Sequence, residues 1–306
     1  MNGAGPHTGD YYAIQFTADS QIVAWTGNIT GTPTSETFAN GGGTTATISG
    51  APSGGIPYAD DEWSSNFDGA DALANAAGPT MAADGTMSFW MYNGEGGATL
   101  QGMVLSKGYA LVGRFNNWGV FTNSGTSLFV ISGQQTATTA KTWSSAISKA
   151  AWHHVVLALD YTDATTSSIT AYVDGSALSG AFAVSGATFA DVSTGIRAGS
   201  YHNGVSYSYG FTGYLNELAL WDTTLDAAAV SELYNSAGGR SAGATNLRED
   251  TGNYSAAGNL VGWWRMGDSD SPVAAAAIST ITDEVNSNDL TQSTGSLQPE
   301  FIKNVA

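Results

Sequence analysis

A chain of 306 residues has room for one large β domain or two small ones. Only 11% of it is charged, with 9 Lys and Arg against 26 Asp and Glu, and a net charge of −17 leaves no basic stripe to neutralise phosphates, which argues against a nucleic-acid partner. It has no cysteine, hence no disulfide framework, and no apolar run near the ~20 residues that cross a bilayer, so no membrane insertion is expected.

Residues 1–55 read as an N-terminal extension whose opening, MNGAGPHTGDYYAIQF, lacks the positive and apolar regions of a signal peptide. Tyr12, Ile14 and Phe16 alternate with Ala13 and Gln15 as in a strand, and Ile22 to Trp25 is a second short apolar piece. Gly41-Gly42-Gly43 and Pro52-Ser53-Gly54-Gly55 punctuate loops. Two roles fit: a pair of edge strands laid on the next domain, or an arm that docks on a larger assembly.

Residues 56–306 form the main domain. Opening strands run from Ile56 to Phe89 around the loop Asn75-Ala76-Ala77-Gly78-Pro79, and Met103 to Lys107, Tyr109 to Phe115, Trp118 to Phe121 and Ser127 to Ile131 follow as a meander. Trp152 to Leu159 is a nearly unbroken apolar run, the pattern of a strand buried on both faces. Ile169, Ala171 and Val173 then alternate with Thr170, Tyr172 and Asp174, and Asp174-Gly175 supplies a tight turn. One helix is expected, with Asp226 as N-cap, a Val230, Leu233, Tyr234 stripe packed on the sandwich edge, and Gly238-Gly239 as its stop.

These residues carry a family resemblance. Trp152-His153-His154-Val155 and Tyr172-Val173-Asp174-Gly175 resemble the W-H-H-V and Y-V-D-G signature of laminin-G-like domains, the concanavalin-A-like jelly rolls. Asn66 to Asp71, Met87 to Met91, Ile196 to Gly199 and Phe211 to Leu218 resemble further strands of that family, in its order, over roughly residues 56–236. The resemblance implies an all-β, two-sheet antiparallel jelly-roll sandwich with one short helix and a binding or structural role. Leu260 to Asp268, followed by Thr282 to Asn288, resembles the segment that normally opens such a domain, yet here it comes last. Residues 258–306 thus read either as completing the sandwich in circularly permuted order or as a second copy cut short.

A β-glucanase strand of the E-x-D-x-E kind needs three carboxylates on one face, and Glu217, Ala219 and Trp221 offer one, so a glycoside hydrolase is disfavoured and no enzyme is expected. His153 and His154, as strand neighbours, point to opposite faces and cannot share a metal. The resemblance implies a possible calcium ion at the sandwich rim, for which Asp68 and Asp71, and separately Asp268, Asp270 and Asp283, are candidates beside their reading as turn formers. For ligand binding, Tyr201, His202, Asn203, Tyr207 and Tyr209 crowd one loop, with Trp118 at a second tip. Such aromatics stack on sugars or pack on neighbouring strands and subunits.

LVGWWRMGD after a laminin-G-like core resembles marine bacteriophage structural proteins. The expectation is a non-enzymatic virion surface protein, a capsid decoration or tail-fibre module, whose partners are capsid or fibre proteins and further copies of itself. The alternative is an extracellular, lectin-like protein that binds polysaccharide, with or without calcium.

Overall fold

The computed structural model describes residues 35–39, 45–49, 63–79, 84–93, 102–107, 118–123, 126–134, 137–160, 167–183, 195–202, 207–235 and 246–303. The strands expected at Tyr12 to Phe16, Ile22 to Trp25 and Tyr109 to Phe115 lie outside these residues, as does Asn203. In the N-terminal stretch β1 (Ser35–Ala39) and β2 (Thr45–Ser49) pair with each other and join neither large sheet.

The main body begins with β3 (Ser64–Asp68), β4 (Leu73–Asn75) and β5 (Gly85–Asn93). The expected meander is present as β6 (Gly102–Lys107), β7 (Trp118–Asn123) and β8 (Ser127–Gln134), extended by β9 (Ala137–Trp143). Then come β10 (Trp152–Asp160), β11 (Ser168–Val173), β12 (Ser176–Ala177), β13 (Phe182–Ala183) and β14 (Ile196–Ala198). A small ladder of β15 (Tyr201–His202) and β16 (Tyr207–Ser208) precedes the long β17 (Thr212–Trp221) and the helix α1 (Ala227–Asn235). The chain ends with β18 (Leu260–Trp264), β19 (Thr280–Ile281), β20 (Leu290–Thr291) and β21 (Glu300–Ile302).

These strands sort into two antiparallel sheets. Sheet I has the order β12-β11-β10-β5-β17-β3-β21, with β13 also on β11 and β18 also on β17, and sheet II the order β19-β20-β4-β14-β6-β7-β8-β9. Alternation along β10 explains how they pack. Val155, Leu157 and Leu159 meet Phe89, Val104, Leu128 and Val130 in the core between the sheets, whereas Val156 and Ala158 face outward. The run from Trp152 to Leu159 is therefore apolar on both sides, because a second layer covers its back. Asp174 at φ 50° and Gly175 at φ 74° turn β11 into β12 with the mirror-image geometry that two-residue hairpins favour.

That second layer is α1, and its placement corrects the expected one. Asp226 caps it, accepting the Ala229 N–H at 2.8 Å. Its apolar stripe packs on the outer face of sheet I rather than on the sandwich edge: Leu225, Ala229, Val230 and Leu233 cluster with Val156, Ala158, Tyr172, Ala219, Trp221 and Trp263. A stripe of this width needs a broad apolar surface, and an edge strand offers only backbone.

The C-terminal strands enter both sheets. β18 pairs with the second half of β17 and β21 with β3, while β20 reaches β4 in sheet II. Along one side of β17, β3 pairs with residues 212–215 and β18 with residues 218–221, and the register against β5 shifts between Asn216 and Ala219, where Glu217 takes φ 48°. Near the start of β17 the backbone passes so close to Gly69 that a Cβ on Gly210 would lie 1.7 Å from the Gly69 carbonyl oxygen, so only glycine fits there.

Candidate functional site

The outer face of sheet I carries aromatic side chains beyond the part that α1 covers. Met87, Phe89 and Met91 of β5 point into the core, so Trp90 and Tyr92 point outward. Tyr234 of α1 stacks over Trp90 at a centroid distance of 5.8 Å and lies 6.2 Å from His154, and His154 Nε2 hydrogen-bonds Ser88 Oγ at 2.8 Å. One residue pair further along the strands, strand register sets Trp152 opposite Tyr92, Tyr92 opposite Tyr214, Tyr214 opposite Asn66, and Asn66 opposite Glu300. This row crosses β10, β5, β17, β3 and β21 on one face.

Trp152, Tyr92 and Tyr214 are each half-buried, and their ring centroids form a triangle with sides of 5.0, 5.8 and 6.2 Å. Rings lying flat on three successive strands would be about 10 Å apart end to end. The short third side means that Trp152 leans across Tyr92 toward Tyr214. The result is a compact aromatic patch, with Asn66 beside it and the exposed Glu300 beyond. Such a patch offers apolar ring surface with polar groups at its margin, the chemistry that engages a sugar ring.

The residues singled out from sequence fall elsewhere. Trp118 lies in β7, opposite Lys107 and Ser132 in sheet II, while Tyr201 and His202 of β15 and Tyr207 of β16 belong to their own ladder. Tyr209 is 50% exposed at φ 52°, and its carbonyl accepts the Met103 N–H at 2.7 Å. The structure therefore does not unite Trp118 with the 201–209 group in one ladder.

Asp68 and Asp71 are occupied by the backbone. Asp68 Oδ1 accepts the Ala70 N–H at 2.7 Å and Asp71 Oδ2 accepts the Asp68 N–H at 2.8 Å, closing the turn after β3. Burial, with Asp68 and Glu300 adding their negative charge, pushes the Asp71 carboxyl up to about 6. Among the described residues no three Asp, Glu or His side chains are grouped to hold a metal. Asp283 likewise spends both oxygens on four backbone amides, those of Trp263, Val285, Asn286 and Asn288. Asp268 accepts the Trp63 N–H and Asp270 that of Thr282.

Two constellations have a catalytic outline and structural hydrogen bonds. Ser148 Oγ lies 2.8 Å from His153 Nε2, and Asp174 Oδ2 lies 2.8 Å from His153 Nδ1, the order of a serine hydrolase triad. Yet the same Nε2 accepts the Ser148 backbone N–H at 2.9 Å, so one lone pair serves both Ser148 donors and the Ser148 amide is taken up by the imidazole. Asp174 Oδ1 also holds the His154 N–H, and the group latches two turns together. Glu217, the one carboxylate of the hydrolase comparison, is 8% exposed: Oε2 accepts Trp263 Nε1–H at 2.6 Å and Oε1 accepts Arg265 Nε–H at 3.0 Å. It is a partner to a buried cation and has no second carboxylate beside it on its strand face.

A model of the concanavalin A-like lectin/glucanases superfamily matches residues 67–231. The chain belongs to that superfamily. The match runs from β3 into α1 and leaves out the C-terminal strands that pair with β17, β3 and β4. Similar solved superfamily-like folds include a Bacteroides ovatus protein with a suggested carbohydrate-binding role, at 13% identity and TM-score 0.54, covering 87% of this chain and 65% of that one. A heptameric SAP-like pentraxin from Limulus polyphemus matches at 17% identity and TM-score 0.46, covering 58% and 85%. Domains LG4-5 of the mouse laminin alpha1 chain match at 18% identity and TM-score 0.39, covering 56% and 44%. At these identities the likeness is one of fold alone. A search of curated proteins finds no match.

Proposed function

We propose that this protein is a non-catalytic carbohydrate-binding module that engages sugar on the outer face of sheet I. The observation that carries the reading is the half-exposed patch of Trp152, Tyr92 and Tyr214, set by strand register just past the end of the helix-covered surface. Three neighbouring aromatic rings cost water-exposed apolar area, and a sugar's C–H face is the kind of partner that recovers it. Superfamily membership supports the reading, and so does the suggested role of the Bacteroides ovatus protein, whose fold is similar. The engagement of Glu217 by Trp263 and Arg265 supports the non-catalytic half. A virion role draws no support from the fold or from these neighbours.

The experiment is a glycan array followed by titration calorimetry of whichever glycans bind. Tyr214→Ala and Trp152→Phe should each weaken binding about tenfold, roughly 1.4 kcal/mol, with little change in thermal melt. Saturable binding that survives both substitutions unchanged would remove the patch from the reading.

A further inference from the structure

Resting on the carbohydrate reading, we infer that the patch takes a single uncharged pyranose ring and turns away sugars that carry a carboxylate. The footprint comes from the ring triangle. A platform for an extended polysaccharide spreads its rings along a line so that successive sugars each find one, whereas here the third side is only 6.2 Å and the three rings converge on one spot.

Selection against acidic sugars comes from the charges around that spot. Glu300 is exposed in the same cross-strand row, two strands from Tyr214, and Asp68 lies two residues along β3 from Asn66, on the same face. Asp71, whose Oδ2 accepts the Asp68 N–H at 2.8 Å, brings a third carboxyl to this corner. Among the described residues no Lys or Arg lies in the row itself. Lys303 sits over the Trp63 ring at 5.8 Å, Arg265 is buried against Glu217, and Arg248 pairs with Glu284. Lys149, half-buried in the turn three residues before Trp152, is one positive group against three carboxyls, and His153 is tied to Asp174. A neutral sugar meets acceptors for its hydroxyls here, while an anionic one meets like charge in a chain already at −17.

The test uses sugars that differ only at C6: methyl β-glucoside against methyl β-glucuronide, and the galactose and galacturonate pair, with the trisaccharides of each neutral sugar. Titration calorimetry at low salt should show the neutral member binding about tenfold more tightly. Glu300→Gln keeps an acceptor oxygen and removes the charge, so it should narrow that gap about threefold, chiefly by tightening the uronide, and 0.5 M salt should narrow it as well. Lengthening the neutral ligand from one ring to three should gain less than about threefold beyond the statistical factor. Equal or tighter binding of the uronides, or affinity that climbs steeply with length, would overturn this inference and leave carbohydrate binding standing. Absence of binding to every sugar on the array and in these pairs would overturn the carbohydrate reading itself.

Discussion

Asp71 shows at the scale of one side chain how the rim of this sandwich depends on pH. Its folded pKa of about 6 lies above the ordinary value of 3.8, so between those two values the folded state holds the proton more tightly than the unfolded chain. Stability is therefore present below pH 4 and is lost as pH rises through about 6. Asp71→Asn keeps an oxygen for the Asp68 N–H and removes the ionisation. It should raise the melting temperature at pH 7 by about 1–3 °C and converge with the parent near pH 4, as scanning calorimetry across that range would reveal. At this scale the sequence was half legible. Trp152 stood out as a strand marker and Tyr207 as a binding residue, but the patch joins Tyr92, Trp152 and Tyr214, which are 60 or more positions apart. Only strand register brings them together, and register is a property of pairing rather than of any one segment.

At the scale of elements, β17 sets a residue in the left-handed region beside a buried ion pair. Glu217 takes φ 48° and is buried against Arg265, which is 2% exposed. A lone buried charge is costly, so Glu217→Gln should destabilise by about 3 kcal/mol in urea titrations even though Arg265 keeps Asp268 at 3.7 Å. Adding Arg265→Met should cost less than the sum of the two single changes, because the second removes the charge that the first orphaned. A strictly additive result would show that the pair is not coupled. Helix α1 was legible because its cap and 3.6-residue stripe are local signals. β9 was not: ATTAKTW has little apolar alternation. It is held as a strand by β8 and by Trp143 Nε1 and the Lys141 ammonium, which bond the carbonyls of Ser179, Gly180 and Ala181 at the facing edge of sheet I. That is tertiary support, invisible in the segment itself.

For the whole molecule, the last 45 or so described residues close what the first half leaves open. Without β18 and β21, β17 and β3 would present unpaired edges, and Trp221, Tyr254 and Leu247 would lose the Trp263 layer they pack with. A chain cut at residue 258 should therefore lose its cooperative melt and bind hydrophobic dye, while a permutant joining Lys303 to Trp63 through a short turn, and opened between residues 235 and 246, should fold. The sequence marked Leu260 to Asp268 as strand-forming and out of its usual order, and the structure pairs its strand with β17. Which existing strands it would meet was not readable, because β17 divides one side between β3 and β18, a pairing that no single segment encodes.

In the ladder of β21 with β3, Ile302 stands directly opposite Ser64. The described body is thus entered and left at two points one strand spacing apart, about 5 Å. An unrelated protein could carry this sandwich in the middle of a surface turn, its own chain interrupted for roughly 240 residues and resumed at almost the same place, with neither fold having to give way.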